Sequence, residues 1–183
     1  MHAAASILAD VAVRSWKVAA PRPQSMMLTR ATATWRSNLV TDDAAIKSLA
    51  LSARRVAVLG IKTEATPDAP SFHVPQYLQE QGVTVVPVPV YFPEVTHILG
   101  ERVYLSCAAV PPPPLDIVCV FRRPSDVLAH VDDVIASKPA CVWLQLGIRN
   151  DEAAEAWAEA GIKVVQDRCM LVEHAAAKRN AKL

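Results

Sequence analysis

The sequence predicts an α/β protein: a doubly wound, mostly parallel sheet of five strands with helices on both faces. Three observations carry that expectation. Short apolar runs alternate with amphipathic stretches along most of the chain. The runs are near-continuous rather than alternating in polarity, as strands buried on both faces require. Gly82 and Gly161 stand just past two of the amphipathic stretches, where helices commonly end in a left-handed residue.

The first element is a short helix. Thr41 stands at its cap, Asp42 and Asp43 fill a first turn where the helix dipole favours acids, and Ile46 and Leu49 recur at helical spacing up to Ser52. Strands follow at 55–59, 83–88, 116–121, 141–146 and 163–166, with helices between them at 71–81, 125–137 and 150–160. The segment 91–114 ends in four prolines at 111–114, which neither a helix nor a central strand tolerates. It reads as a crossover loop in which 101–105 is a candidate sixth strand. Right-handed crossovers favour the order 3-2-1-4-5, with strand 116–121 beside the first strand. Ligands of such sheets bind beyond the carboxyl ends of the strands, where the order reverses.

The 183 residues make one domain, 39–178, with an extension at 1–38 and a tail at 179–183. A formal charge of +1 gives no electrostatic case for nucleic acid or an anionic membrane. No apolar run nears the roughly 18 residues that span a bilayer, so a soluble protein is expected. None of the four cysteines, Cys107, Cys119, Cys141 and Cys169, forms a C-x-x-C pair or has histidines at metal-ligand spacing, so neither a disulfide framework nor a metal site is expected. Between Asp10 and Asp42 the chain holds no acid, while Arg14, Lys17, Arg22, Arg30 and Arg36 are basic. That is the composition of a transit peptide, which would place the protein in a mitochondrion or plastid. An ordinary tail, with a cytoplasmic protein, is the alternative.

Candidate ligand groups gather at the strand ends. Gly60 closes the first strand, where the lack of a Cβ permits a sharp turn and close approach. The second and third glycines of a dinucleotide fingerprint are absent, and no phosphate loop of the G-x-x-x-x-G-K-[ST] type occurs. The helix after the turn starts at Pro70-Ser71 with no carboxylate in its first turn, so its positive end and the Ser71 hydroxyl are available to an anion, or Ser71 simply caps. Pro75 costs that helix one bond. Arg122 and Arg123 end strand 116–121 and offer planar forks for phosphate, one of them reading as a solvated corner, and Ser125 stands where it can cap the following helix. Lys62 is a third cation. Gln145-Leu146-Gly147 ends strand 141–146 in a turn able to hydrogen-bond a ligand amide, and Trp143 reads as core.

The stretches "VWLQLGIRNDEAAEAWAEAGIKVVQDRCMLVEH", "ILGERVY", "DIVCVFRRPSDV" and "PSFHVPQYLQEQGVTVVPV" resemble the small single-domain CoA-binding proteins, themselves similar to the nucleotide-binding half of the succinyl-CoA synthetase α subunit. The resemblance covers about residues 40 to 176. It implies a Rossmann-like fold that holds coenzyme A or an acyl-CoA, its phosphates at the first turn and its pantetheine across the crevice. It maps ligand contacts onto Gly60, Ile61, Lys62 and Ser71, and onto Phe121, Arg122 and Gln145. Two positions depart from the family pattern. Ile61-Lys62-Thr63 replaces small-Ser-x after the glycine, and Val88-Pro89-Val90 replaces V-N-P after the second strand, removing an Asn able to touch the adenosine.

No nucleophile, base and orienting group converge, so binding rather than catalysis is expected. His73 reads as a phosphate contact or a helix-surface residue, Glu173-His174 as a cap or surface pair, and Asp167-Arg168 as a structural brace. Cys169 forms a mixed disulfide with CoA only if exposed and of lowered pKa. The partners implied are CoA and either a second copy of the chain or a ligase subunit. A redox-sensing module for NAD(H), or the CoA-binding part of an acyl-CoA ligase, are the alternatives.

Overall fold

The computed structural model describes residues 35–181. Five parallel strands, β1 (Arg55–Leu59), β2 (Thr84–Val88), β5 (Ile117–Val120), β6 (Cys141–Leu144) and β7 (Lys163–Val165), form one sheet in the order β2-β1-β5-β6-β7. Their unbroken apolar runs serve two cores at once, because successive side chains point to opposite faces. Val56, Val58, Val85, Ile117, Cys119, Cys141 and Trp143 enter one core. Ala57, Leu59, Val86, Val118, Val120, Val142 and Leu144 enter the other. The first core is closed by helices α1 (Asp43–Ser52), α2 (Pro70–Glu80) and α5 (Met170–Asn180). The second is closed by a 3-10 helix (Pro124–His130), α3 (Val131–Ser137) and α4 (Asp151–Glu159). The α/β doubly wound expectation holds.

Strand 116–121 does lie beside the first strand, through the register Ala57↔Val118. The expected strand at 101–105 is a correction. Only Glu101–Arg102 (β4) is extended, and it pairs antiparallel with His97–Ile98 (β3) in a separate hairpin. That segment touches the main sheet through one bond, from Tyr104 N–H to the Pro87 carbonyl at 2.9 Å. Pro87 turns its carbonyl to this outer edge and has no N–H to return, so a ladder cannot grow there. The sheet therefore runs 2-1-3-4-5 in its five strands, not 3-2-1-4-5.

Two caps differ from expectation. Asp42, not Thr41, caps α1 by accepting from Ala45 N–H at 2.8 Å. Ser125 caps nothing; its hydroxyl bonds Asp126, and the helix begins as 3-10 structure. Asn150 caps α4 as its position suggests, and Gly82 and Gly161 both adopt positive φ.

Helix α5 is absent from the sequence expectation. Glu173 and His174 are buried in it rather than set on the surface. His174 meets the Tyr77 hydroxyl of α2 at 3.1 Å, and Glu173 pairs with Arg168 at 3.4 Å. At the other end of the described chain, Trp35 and Leu39 pack on the second core, and Val40 N–H bonds the Val164 carbonyl along the edge of β7. The transit-peptide expectation falls almost wholly on residues 1–34, outside the described residues. No helix among the described residues is long and apolar enough to cross a membrane.

Candidate ligand-binding site

The crevice begins at Gly60. Its φ of +89° turns the chain sharply out of β1, and its N–H bonds the Val88 carbonyl at 2.8 Å. Phe121 N–H in turn bonds the Leu59 carbonyl at 2.9 Å. A Cβ on Gly60 would stand 2.4 Å from the Phe121 carbonyl oxygen and 3.2 Å from Arg122 Cδ. The close approach this glycine permits is therefore that of the neighbouring strand end. The carboxyl ends of β1, β2 and β5 are drawn into one cluster by it.

Beyond Gly60, the Ile61 side chain is fully buried in the first core, so it offers only main chain to a ligand. Lys62 N–H bonds the Ser71 carbonyl at 3.2 Å. That carbonyl is free because Pro75, four residues on, has no N–H to give it. The proline that weakens α2 thereby docks the crevice loop onto the helix.

The start of α2 is partly spent. Pro70 has no N–H, and the N–H groups of Phe72 and His73 both donate to the Ala69 carbonyl. Ser71 is left with an N–H and a hydroxyl that bond nothing among the described residues, in a first turn without acids. Glu64, in the loop before the helix, accepts from Leu99 N–H at 2.7 Å. Exposed His73 lies on the helix surface.

The cations meet around an aromatic ring. Lys62 Nζ lies 5.5 Å and the Arg122 guanidinium carbon 4.8 Å from the centre of Tyr91, with Phe92 also 5.2 Å from Lys62. Such contacts are worth about 0.5–1 kcal/mol each at an exposed site. The two arginines separate: the Arg122 side chain is 9% exposed and that of Arg123 77%. Asp126 pairs with both, at 3.3 Å and 2.9 Å. The hydrogen bonds from Arg123 and Ser125 hold its carboxyl below the usual range. One Arg122 nitrogen, Nε, is buried with no acceptor among the described residues. A buried donor left unpaired normally costs about 1–3 kcal/mol.

On the opposite sheet face from α2, a cavity of about 260 Å³ is walled by Leu59, Pro89, Val90, Pro93, Leu105, His130 and Asp133. Asp133 is occupied, since its two oxygens accept from the N–H groups of Cys107 and Ala108 at 2.8 Å and 3.0 Å. Burial, then the charge of Arg122, holds the His130 imidazole below the usual histidine range.

Gln145 stands apart from this cluster. Its amide is turned into the protein, where Nε2 donates to Cys119 Sγ at 2.9 Å and Oε1 accepts from Met170 N–H at 3.3 Å. The surrounding L-Q-L-G-I-R-N and D-R-C stretches brace one another. Gly147 N–H bonds Asp167 at 2.7 Å, Asn150 N–H bonds Gln166 at 2.9 Å, and Trp143 Nε1 bonds the Arg168 carbonyl at 2.7 Å. Asp167 and Arg168 brace as expected, though with different partners: Arg168 pairs with Asp43 and Glu173. Buried Trp143 is core. Cys169 is half-buried, and burial pushes the thiols of Cys119 and Cys141 up to about 12.

The structure thus gathers Gly60, Ile61, Lys62, Ser71, Phe121 and Arg122 at one crevice and places Gln145 behind it. Sequence reasoning missed Tyr91, Asp126 and His130. The signal for Tyr91 was an aromatic pair directly after a strand end; for Asp126, a carboxylate three and four residues past two arginines.

A family model described as a CoA binding domain matches residues 54–175. The uncharacterized protein YneT of Bacillus subtilis is 31% identical over 135 residues, 74% of this chain and 96% of its own length. Among solved structures, cell-free ID.343 from Thermus thermophilus is 40% identical with a TM-score of 0.68, covering 75% of this chain and 99% of its own. A hypothetical protein from Pyrococcus horikoshii OT3 is 29% identical with a TM-score of 0.67, covering 75% and 93%.

Proposed function

This chain belongs to the CoA-binding domain family, and from that membership we propose that it binds coenzyme A or an acyl-CoA, without catalysing a reaction, at the carboxyl ends of β1, β2 and β5. The observation that carries the reading is Arg122: a guanidinium nine-tenths buried at the crevice, with one nitrogen lacking any acceptor among the described residues. A pyrophosphate or 3′-phosphate oxygen supplies that acceptor, and charge-assisted bonds of this kind are the strong ones. Lys62 and the free Ser71 N–H and hydroxyl serve the same phosphates. The main chain at Gly60-Ile61 and the Phe121 strand end form the floor. Gln145 acts from behind as a positioning residue, holding Cys119 and the start of α5 in place under the crevice.

The test is a thermal-shift titration of the full chain with CoA. Ligand that binds only the folded state raises the melting temperature. Ser71→Asp puts a negative charge at the proposed phosphate seat and should abolish most of the shift, whereas Cys169→Ser should keep it. Equal loss from both variants would place the ligand elsewhere.

A second reading, the CoA-binding part of an acyl-CoA ligase, draws on exposed Leu146 and Val172, on the segments that follow β6 and β7. Co-purification of a stable partner subunit with catalytic activity supports it, and a homogeneous homo-oligomer counts against it. Whatever the reaction, we propose from its acid-poor composition that segment 1–38 addresses the protein to a mitochondrion or plastid, which fractionation of the tagged full chain tests.

A further inference from the structure

The cavity on the second sheet face shares an edge with the phosphate seat, because Leu59 in its wall is the residue before Gly60. Arg122 spans the two regions. Its Cδ lies against Gly60, its guanidinium lies over the Tyr91 ring, and its charge reaches His130 in the cavity wall. A molecule with an anionic head on one side of Gly60 can therefore send its other end into the cavity.

Most of that wall is apolar: Leu59, Pro89, Val90, Pro93 and Leu105. Leu105 is 70% exposed, an apolar side chain at this cavity that the protein itself leaves uncovered. Of the two polar members, Asp133 is a carboxylate with both oxygens engaged by main-chain N–H groups. His130 is held toward its neutral form, so it offers no standing positive charge to offset Asp133. A carboxylate entering here meets a like charge. An uncharged chain meets a mostly apolar wall and no opposing charge. At about 30 Å³ of liquid volume per water-sized group, 260 Å³ holds about eight or nine such groups. A hexanoyl thioester, from sulfur to terminal methyl, is about that size.

We infer that this cavity takes the acyl group of the bound thioester, and that its preferred ligands carry short, straight, uncharged acyl chains of about four to six carbons. The inference rests on the CoA reading and names the substrate class of that same site.

The experiment is calorimetric titration of the full chain with CoA and with acetyl-, butanoyl-, hexanoyl-, decanoyl- and succinyl-CoA. Affinity should rise by roughly fourfold per methylene, as burying each one in an apolar site predicts, until about six carbons, and fall for decanoyl-CoA. Succinyl-CoA should bind more weakly than butanoyl-CoA by about tenfold or more. Leu105→Asp should remove the chain-length gain, while a change at exposed Val172, Val172→Asp on α5, should keep it; circular dichroism confirms that both variants fold. CoA binding with no dependence on chain length, or succinyl-CoA binding as tightly as butanoyl-CoA, overturns this inference alone. No binding of any CoA species by the wild-type chain overturns the CoA reading and this inference together.

Discussion

Substituting Gly60 by Ala probes the joint on which the whole crevice depends. The new Cβ would meet the Phe121 carbonyl oxygen at 2.4 Å, and that oxygen belongs to the end of β5 and cannot swing aside like a side chain. The strand end must retreat by more than half an ångström. The positive φ adds its own cost, about 1–2 kcal/mol for a residue with a Cβ. Crowding a well-packed site adds about 1–3 kcal/mol more, so Gly60→Ala should lose about 2–5 kcal/mol in total. Gly82 is the control: its φ of +87° is nearly the same, but nothing lies within 4 Å of its would-be Cβ. Gly82→Ala should therefore lose only the backbone share, about 1–2 kcal/mol. Urea unfolding followed by the fluorescence of buried Trp143 and Trp157 measures both. Ligand titration should show a weakened site in Gly60→Ala, where Phe121 and Arg122 have moved, and an unchanged one in Gly82→Ala. Equal destabilisation by the two substitutions would refute the close-approach argument.

Arg122→Ala should weaken CoA binding by about ten- to a hundredfold, the worth of charge-assisted hydrogen bonds to an anion, while exposed Arg123→Ala should change it less than threefold by roughly the same reckoning; parallel calorimetric titrations compare them. Burial holds the imidazole of His174 below the usual histidine range, with Lys178 the next cause, and burial does the same at His130. The folded protein then binds fewer protons than the unfolded chain, so the stability from these residues is full above about pH 6.5 and is lost as pH falls through their folded values. Urea midpoints should drop on that acid side, and His174→Gln should flatten part of the drop. The thiols of Cys119 and Cys141 are pushed to about 12, and that of Cys107 is also raised, by burial first and then by Asp133. An aromatic disulfide reagent near neutral pH should therefore modify Cys169 first, and the other three only on unfolding.

The sheet was legible because each strand is buried on both faces, so a plain apolar run marks it. The failures share a cause: the decisive partner is far away in sequence. Helix α5 carries Glu173 and His174 on buried positions, tolerated only because Arg168 and Tyr77 receive them, and no local periodicity shows that. The edge at 101–105 was misjudged because one proline, Pro87, decides whether β2 accepts a neighbour. Within the site, Gly60, Lys62, Ser71 and Arg122 were legible as strand-end and helix-start residues of known topology. Tyr91 was not, since its place between two cations depends on the path of a loop. Gln145 lies at an expected strand end, but its amide faces Cys119 and Met170 rather than the crevice. The stretches that most resemble the family include the braces around Gln145 and Asp167, so they identify the scaffold more sharply than they identify the ligand.

The most direct test of the central claim is calorimetric titration of the 183-residue chain with CoA, dephospho-CoA and NADH in parallel. CoA should bind saturably with micromolar affinity, dephospho-CoA more weakly for want of the 3′-phosphate, and NADH more weakly still. Silence with CoA, or tighter binding of NADH, would contradict that claim and leave Arg122 and Lys62 serving a different ligand.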